Sequence, residues 1–468
     1  MIEFEQVSFQ YGDAQNADNG TLYNINLTIP DGQVVLLCGE SGCGKTTITR
    51  LINGLIPHFY EGILTGTILV NGKEIKEQPL YDTAFHVGTV FQNPRAQFFN
   101  VDTTSELAFG LENRGMEVDK IKSKIEHTVA ELHMEDLMDR SIFHLSGGEK
   151  QKIACGCVSA CSPNIFLLDE PSANLDLYSM RQLRKMIKKW KEQKKTIIIA
   201  EHRLSYIWDL IDRMVLLENG RIIEDISMET IAKMSVIELH RRGLRSNEET
   251  VPIKPLDART SSPQFLQFRN FLFGYEKSKT ILNIPKLYIQ ENEITAIVGN
   301  NGMGKSTFLR CICGLERKCK GVMEWRGRSY KRKERRKEIF LVMQDVNHQL
   351  FAESVLDEVL ISMKKENPEQ ACTILEQLDL LEYKERHPVS LSGGQKQRVA
   401  VATAIASDRS ILLFDEPTSG LDYRHMLQVA NLLKELKKQG RTIILVTHDM
   451  EFINVLNANI IRLEEESA

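Results

Sequence analysis

Two apolar patterns recur along the chain. The opening residues MIEFEQVSFQY, 1–11, alternate apolar and polar positions, which predicts a strand with one buried face. The runs QVVLLCG (33–39), IFLLDEP (165–171), EITAIVG (293–299) and ILLFDEP (411–417) instead contain nearly continuous apolar stretches. Such runs predict strands covered on both sides, as in a parallel sheet flanked by helices. Longer stretches of helical character separate them, and that alternation predicts the α/β class. None of the apolar runs approaches the roughly 20 residues a membrane-spanning helix needs.

The pattern occurs twice. GESGCGKTT from Gly39 matches GNNGMGKST from Gly299, and VFQNPRAQFF from Val90 matches VMQDVNHQLF from Val342. LSGGEKQKIA from Leu145 matches LSGGQKQRVA from Leu391, IFLLDEPSANLD from Ile165 matches ILLFDEPTSGLD from Ile411, and TIIIAEHRL from Thr196 matches TIILVTHDM from Thr442. The same order in both halves means a duplicated unit. The spacing between matched positions shrinks from the first pair to the last, so the first half carries extra residues before its LSGG motif. These matches predict domains at 1–235 and 263–468. The intervening 236–262 contains a polar, proline-bearing segment without periodicity and is expected to be a linker.

Composition narrows the class. Of 468 residues, 42% are hydrophobic and 26% charged, as in folded chains rather than disordered ones. A net charge of −4 argues against a protein held to nucleic acid by bulk electrostatics, and no nucleic-acid partner is expected. The N-terminus has neither the basic region nor the apolar core of a secretory signal. Nine cysteines in a chain this long do not make a disulfide scaffold. Cys155, Cys157 and Cys161 have no usual zinc spacing and are expected to be small helical core residues. Cys43 lies within a glycine loop, where a thiol near helix N-terminal amides is either reactive or a tolerated small side chain, and the second reading is favoured. The basic run RGRSYKRKERRKE, 326–338, reads as a solvated face, with contact to anionic lipid headgroups as the alternative.

The glycine motifs carry the chemistry. GESGCGKT and GNNGMGKS both fit G-x4-G-K-[ST], each after a predicted strand and before a predicted helix. Backbone amides can close around phosphate oxygens only where side chains do not block the approach, hence Gly42, Gly44, Gly302 and Gly304. Lys45 and Lys305 are placed for the β- and γ-phosphates, and Thr46 and Ser306 for Mg²⁺. Asp169 and Asp415 end buried strands, where they can hold Mg²⁺ through water. Glu170 and Glu416 follow, positioned to orient or deprotonate an attacking water.

Phosphate loop, glutamine, LSGG, hydrophobic-Asp-Glu and histidine, in that order, resemble the ATP-binding cassette (ABC) ATPases over nearly the whole chain, twice. The resemblance implies two tandem P-loop domains, each with a RecA-like core, an antiparallel β subdomain and a helical signature subdomain. It implies ATP and Mg²⁺ as cofactors. The nucleotide would be held by Gly39, Ser41, Gly42, Cys43, Gly44, Lys45, Thr46 and Thr47 in the first half. Gly299, Asn301, Gly302, Met303, Gly304, Lys305, Ser306 and Thr307 would hold it in the second. Tyr11 and Tyr275 would stack on adenine, and Gln92 and Gln344 would sense Mg²⁺ and water. His202 and His448 would contact the γ-phosphate, and Asp176 and Asp422 would communicate between halves. The halves would pair head to tail within one chain. Ser146, Gly147 and Gly148 would then close on the nucleotide at Lys305, and Ser392, Gly393 and Gly394 on the one at Lys45. Glu149 stands where the second half has Gln395, but no group needed for hydrolysis is missing from either half.

Within this superfamily, chromosome and repair ATPases insert long coiled coils or zinc modules before the signature, and neither half has room for one. Soluble tandem ATPases acting on ribosomes usually carry a long charged helical linker, unlike the proline-broken segment here. Gln97 and Gln349, each followed by an aromatic or apolar pair, resemble the glutamine-bearing segment of energy-coupling factor (ECF) importers. That likeness implies a peripheral motor on the cytoplasmic face of the membrane, driving uptake of a vitamin-like micronutrient or metal ion. Its partners would be a transmembrane coupling protein and a small substrate-capture membrane protein. A ribosomal ATPase and the ATPase of another ABC transporter type are the alternatives.

Overall fold

The computed structural model describes residues 1–12, 20–173, 175–248, 265–275 and 281–463. The chain forms two compact units, Met1–Glu249 and Thr250–Ala468.

In the first unit, the alternating N-terminal segment becomes strand Ile2–Tyr11, flanked antiparallel by Leu22–Ile29 and Gly62–Val70, with Lys73–Glu74 at the edge. Its inward residues Ile2, Phe4, Val7 and Phe9 are all buried. The continuous apolar runs form the six-stranded core sheet, in the order Arg221–Ser227, Arg213–Glu218, Val34–Gly39, Thr196–Ala200, Ile165–Asp169, Val87–Val90. Only the Arg221–Ser227 edge runs antiparallel to its neighbour. The period of two sorts each core strand between two hydrophobic clusters. Val34, Leu36 and Cys38 face the cluster containing the LSGG helix, whereas Val35 and Leu37 face the cluster shared with the antiparallel sheet.

The second unit repeats this plan. Its antiparallel sheet runs Leu282–Gln290, Phe265–Phe273, Lys320–Trp325, Arg328–Tyr330. Its core sheet is wholly parallel, in the order Ile339–Val342, Ile411–Asp415, Thr442–Val446, Ile294–Val298, Asn459–Arg462. Each unit adds a helical layer ending in the LSGG helix, Gly147–Ala160 or Gly393–Ala406. Antiparallel sheet, core sheet and helical layer are the three parts expected of each half. Cys155 is fully buried on the first signature helix, and burial pushes its thiol up to about 12, in keeping with a packing role.

Two expectations need correction. The first unit does not end at 235. Helix Val236–Arg241 follows, and Leu239 and Leu244 join Ile231 and Met234 in the main core cluster. A polar composition concealed these two leucines, spaced too far apart to show periodicity. The remainder of the expected linker, 249–262, lies outside the described residues. The basic run is exposed along most of its length, but Arg335 turns inward and is 5% exposed. Among the described residues, no helix is long and apolar enough to cross a membrane.

If residues 236–244 belong to the first unit's core, Leu239→Ala should destabilise the protein by about 2–4 kcal/mol, as buried leucine truncations do. Chemical denaturation checks this; an unchanged midpoint would restore the linker reading.

Candidate functional site

Each glycine loop joins the end of a buried strand to a helix start, Lys45–Ile52 or Lys305–Cys313. Gly44 and Gly304 precede these helices in the left-handed region, at φ 108° and 79°. Gly39 is sterically confined too, since a Cβ there would stand 2.1 Å from the Leu217 carbonyl oxygen. The lysines fold back over their own loops. Lys45 Nζ donates to the carbonyls of Gly39 and Glu40, both at 2.9 Å, and Lys305 Nζ to those of Gly299 and Asn300 at 2.7 and 2.8 Å. The loop thus keeps a positive charge at its centre, with backbone amides and a helix N-terminus around it.

The strand-end acids lie against these loops. Thr46 Oγ1 donates to Asp169 Oδ1 at 3.2 Å, and Ser306 hydrogen-bonds Asp415. Burial pushes the carboxyl of Asp169 up to about 6, reinforced by neighbouring Glu170 and opposed by Thr46, Lys45 and Arg50. Burial likewise raises Asp415 to about 6, against Ser306, Lys305 and Arg310. Asp415 Oδ1 is buried without a hydrogen-bond partner. A buried carboxylate oxygen of this kind, beside a hydroxyl and close to a phosphate loop, suits a hard divalent cation such as Mg²⁺.

Glu170 and Glu416 come next, with φ 45° and 51°, a backbone region that non-glycine residues enter at a cost and that often marks functional positions. Gln92 Nε2 donates to Glu170 Oε2 at 2.6 Å, and His202 Nε2 is 3.4 Å from Glu170 Oε1. In the second unit His448 Nε2 lies 3.7 Å from Glu416 Oε1 and 3.1 Å from Asn301 Oδ1. Thr447 Oγ1 also donates to Glu416 Oε2, at 3.1 Å. Loop lysine, hydroxyl, aspartate, glutamate and histidine therefore meet at the C-terminal edge of each core sheet, where open α/β sheets bind ligands. Gln92 joins this group through Glu170, whereas Gln344 is exposed after the matching strand.

The remaining expected residues are distributed as follows. Tyr11 is half-buried; its hydroxyl lies 3.3 Å from Thr47 Oγ1 and accepts from Arg50 at 3.0 Å. Tyr275 is 51% exposed and edge-on to Phe273. Cys43 packs into the cluster beneath the first loop. Met303 Sδ accepts from the Asn300 amide at 3.2 Å, and Thr307 is buried. Ser146 and Ser392 cap the signature helices through capping boxes, with Glu149 and Gln395 as reciprocal partners. The Glu149–Gln395 difference thus preserves helix geometry; Glu149 in addition pairs with Arg140 at 2.9 Å. Asp176 and Asp422 cap the next helices, accepting from the amides of Ser179 and His425 at 2.7 and 2.9 Å.

Several supporting residues escaped sequence reasoning. Glu201, 3% exposed, accepts from the amides of Ser172, His202 and Arg203 and from Tyr206 Oη, orienting the His202 segment. Gln97 and Gln349, which the sequence did single out, brace their short helical turns against the preceding strands, a role it did not show. Gln97 accepts from the Phe91 amide and donates to the Thr89 carbonyl, and Gln349 does the same with Met343 and Leu341. Buried Glu106 accepts from the amides of Phe99 and Asn100, and Glu358 from those of Phe351 and Ala352. The equal spacing of Glu106 and Glu358 from Gln92 and Gln344 was the available signal.

Fold and site define a tandem P-loop nucleotide-binding protein. The family model for ABC transporters matches residues 22–173 and 282–419, and the chain belongs to that family of ATPases, which bind ATP with Mg²⁺. A putative ABC transporter ATP-binding protein of Treponema denticola is 44% identical over 99% of this chain and 95% of its own length. One from Methanosarcina acetivorans is 31% identical, covering 96% and 82%. Among solved structures, archaeal ribosome recycling factor aABCE1, crystallised with ribosomal stalk protein aP1, superposes with a TM-score of 0.66. It covers 98% of this chain and 87% of its own at 22% identity, a likeness of fold alone.

A carboxyl with a raised folded-state value binds its proton more tightly folded than unfolded, so its contribution to stability falls as pH climbs from about 4 to about 6. For Asp169, held at about 6, the penalty in magnesium-free buffer at pH 8 is of order 3 kcal/mol. Asp169→Asn should accordingly raise the melting temperature of nucleotide-free protein at pH 8, have little effect at pH 4, and reduce ATPase activity. A variant less stable than wild type at pH 8 would contradict the buried-charge account.

Proposed function

We propose that this chain is the ATP-hydrolysing motor of an ECF-type membrane importer, taking up a vitamin-like micronutrient or metal ion. The observation that carries the reading is a duplicated presentation loop. Phe99 and Phe351 are each 74% exposed, next to amides pinned by buried Glu106 and Glu358 and just beyond the turns braced by Gln97 and Gln349. Solvent-exposed phenylalanines on rigid supports suit docking of partner helices. Their place beyond Gln92 and Gln344 would couple docking to the nucleotide sites. The naming of full-length relatives as transporter ATP-binding proteins supports the same class of partner.

In this reading the two halves close head to tail on two ATP molecules. Ser146–Gly148 serve the nucleotide at Lys305, and Ser392–Gly394 the one at Lys45. Mg²⁺, held by Thr46, Gln92 and Asp169 or by Ser306, Gln344 and Asp415, would offset charge on the β- and γ-phosphates. Lys45 and Lys305 orient the phosphates, while Tyr11 and Tyr275 position the base. Glu170 and Glu416 accept hydrogen bonds from, or a proton of, the attacking water, and His202 and His448 steady these glutamates and the γ-phosphate. Asp176 and Asp422 link the state of one half to the other. Phosphoryl transfer needs mainly positioning and charge stabilisation, so closure can gate the reaction. The motor would sit peripherally on the cytoplasmic face, bound to a transmembrane coupling protein that works with a small substrate-capture protein.

Changing Glu170 and Glu416 together to Gln should lower ATPase activity of the membrane complex about 10²–10⁴-fold, the usual contribution of a general base. Retained activity would remove both from the catalytic role. Phe99→Ala with Phe351→Ala should leave nucleotide binding intact and release the chain from its membrane partners on affinity purification. Co-purification of wild-type chain with ribosomes and no membrane protein would overturn the importer reading.

A further inference from the structure

The first unit builds an aromatic and cationic cluster around Tyr11. Tyr11 ends strand Ile2–Tyr11 and pairs with Gly62 at the start of strand Gly62–Val70. Two residues before Gly62 comes Tyr60, whose amide donates to the Leu55 carbonyl at 2.9 Å. The Tyr60 ring stands edge-on to Tyr11, with centroids 6.2 Å apart and planes at 89°. Phe9 is also edge-on to Tyr11, at 4.7 Å. Both tyrosines are half-buried against the cluster beneath the first phosphate loop.

Arg50 ties the two rings together. It lies in the last turn of helix Lys45–Ile52, which starts at the phosphate loop. Its Nη1 donates to Tyr11 Oη at 3.0 Å, and its guanidinium carbon sits 4.1 Å from the centroid of the Tyr60 ring. One planar cation thus serves a hydroxyl at its edge and an aromatic face beneath it. Tyr11 Oη is also 3.3 Å from Thr47 Oγ1, and Thr47 Oγ1 donates to the Gly20 carbonyl at 2.7 Å. A threonine hydroxyl has one proton to give, so with Thr47 committed to Gly20 the Tyr11 hydroxyl is the donor to Thr47. Tyr11 therefore accepts from Arg50 and donates to Thr47, and its ring is fixed to the helix that carries Lys45 and Thr46.

Among the described residues, the second unit is built differently here. Arg310 stands at the position matching Arg50 and pairs instead with Glu316, at 2.8 Å. The stretch that follows, GLERKCK (314–320), contains no aromatic residue. Tyr275 is 51% exposed, its ring edge-on to Phe273. We infer that Arg50 is a positioning residue of the first nucleotide site, holding the Tyr11 ring ready for the purine base of ATP, so that the base contributes more to binding there than at the second site. The inference rests on the proposed role of Tyr11 and Tyr275 as platforms for the base. A ring already fixed loses little freedom when a base stacks on it, whereas an exposed ring is ordered at the moment of binding and weakens it by that cost. Two sites with the same phosphate chemistry thus differ in affinity through the support of one side chain.

Equilibrium binding to the full-length protein, one site at a time, tests this, with folding of each variant verified by its melting curve. In Lys305→Ala protein, which keeps the first loop lysine, Arg50→Met should weaken magnesium-ATP binding about three- to tenfold, the cost of ordering one side chain. Magnesium tripolyphosphate, which has no base, should bind with unchanged affinity, and Arg50→Lys should retain most of the ATP affinity. Equal losses for ATP and tripolyphosphate would assign Arg50 to the phosphates, near which its charge acts on Asp169, and overturn the inference. Tyr11→Phe keeps the ring and removes the hydroxyl; it should reproduce the Arg50→Met loss, and the two changes together should cost no more than either. In Lys45→Ala protein, Arg310→Met should shift ATP affinity by less than about twofold. A loss there matching that of Arg50→Met would overturn the difference between the sites. Tyr11→Ala separates the two readings. Full ATP affinity in that variant overturns the platform role and the inference with it, whereas weakened ATP binding beside an unaffected Arg50→Met overturns the inference alone.

Discussion

The strands that end in Asp169 and Asp415 are buried on both faces, so each delivers a carboxylate to a place water scarcely reaches. That burial is costly, and the cost shows in two carboxyls held at about 6. The surrounding groups answer it: a loop lysine, a hydroxyl at the helix start and, in the second unit, a carboxylate oxygen left without a protein partner. A folded chain retains such charge where binding of a cation and a phosphate repays it. Glycines in left-handed conformations and glutamates at positive φ fit the same account, since each spends backbone freedom to keep the sheet edge open to a ligand.

The duplication separates what the fold requires from what each unit adds. Both halves use a serine capping box to start the signature helix, an aspartate to cap the helix after the second acid, a glutamine to brace the turn beyond the sheet edge, and a buried glutamate to hold the exposed phenylalanine loop. Each solves the same problem, satisfying backbone groups near a surface that must stay rigid. The differences are local. Glu201 organises the histidine segment of the first unit through four hydrogen bonds, whereas Thr447 and Asp449 share that work in the second. Arg335, which donates to the Cys311 carbonyl, has Thr83 at its matching position in the first unit.

Periodicity and repeat made the α/β class, the two halves and the main site residues legible. Lys45, Thr46, Asp169, Glu170 and His202 could be named because each sits at a fixed offset from an element boundary. The end of the first unit is not legible in the sequence, because Leu239 and Leu244 carry no periodic signal within a polar segment. Arg335 reads in the sequence as part of a solvated face, because charge in a basic run is visible there and direction is not.

By itself the sequence determined which residues can be buried and where the phosphate-binding loops begin, since both follow from spacing along one chain. Only the tertiary structure decided what those residues face. The Gln97 brace, the Glu106 clasp, the Glu201 network and the bond from Arg335 to the Cys311 carbonyl join groups from different elements. A hydrogen bond depends on distance and direction in space, and neither is a property of order along the chain.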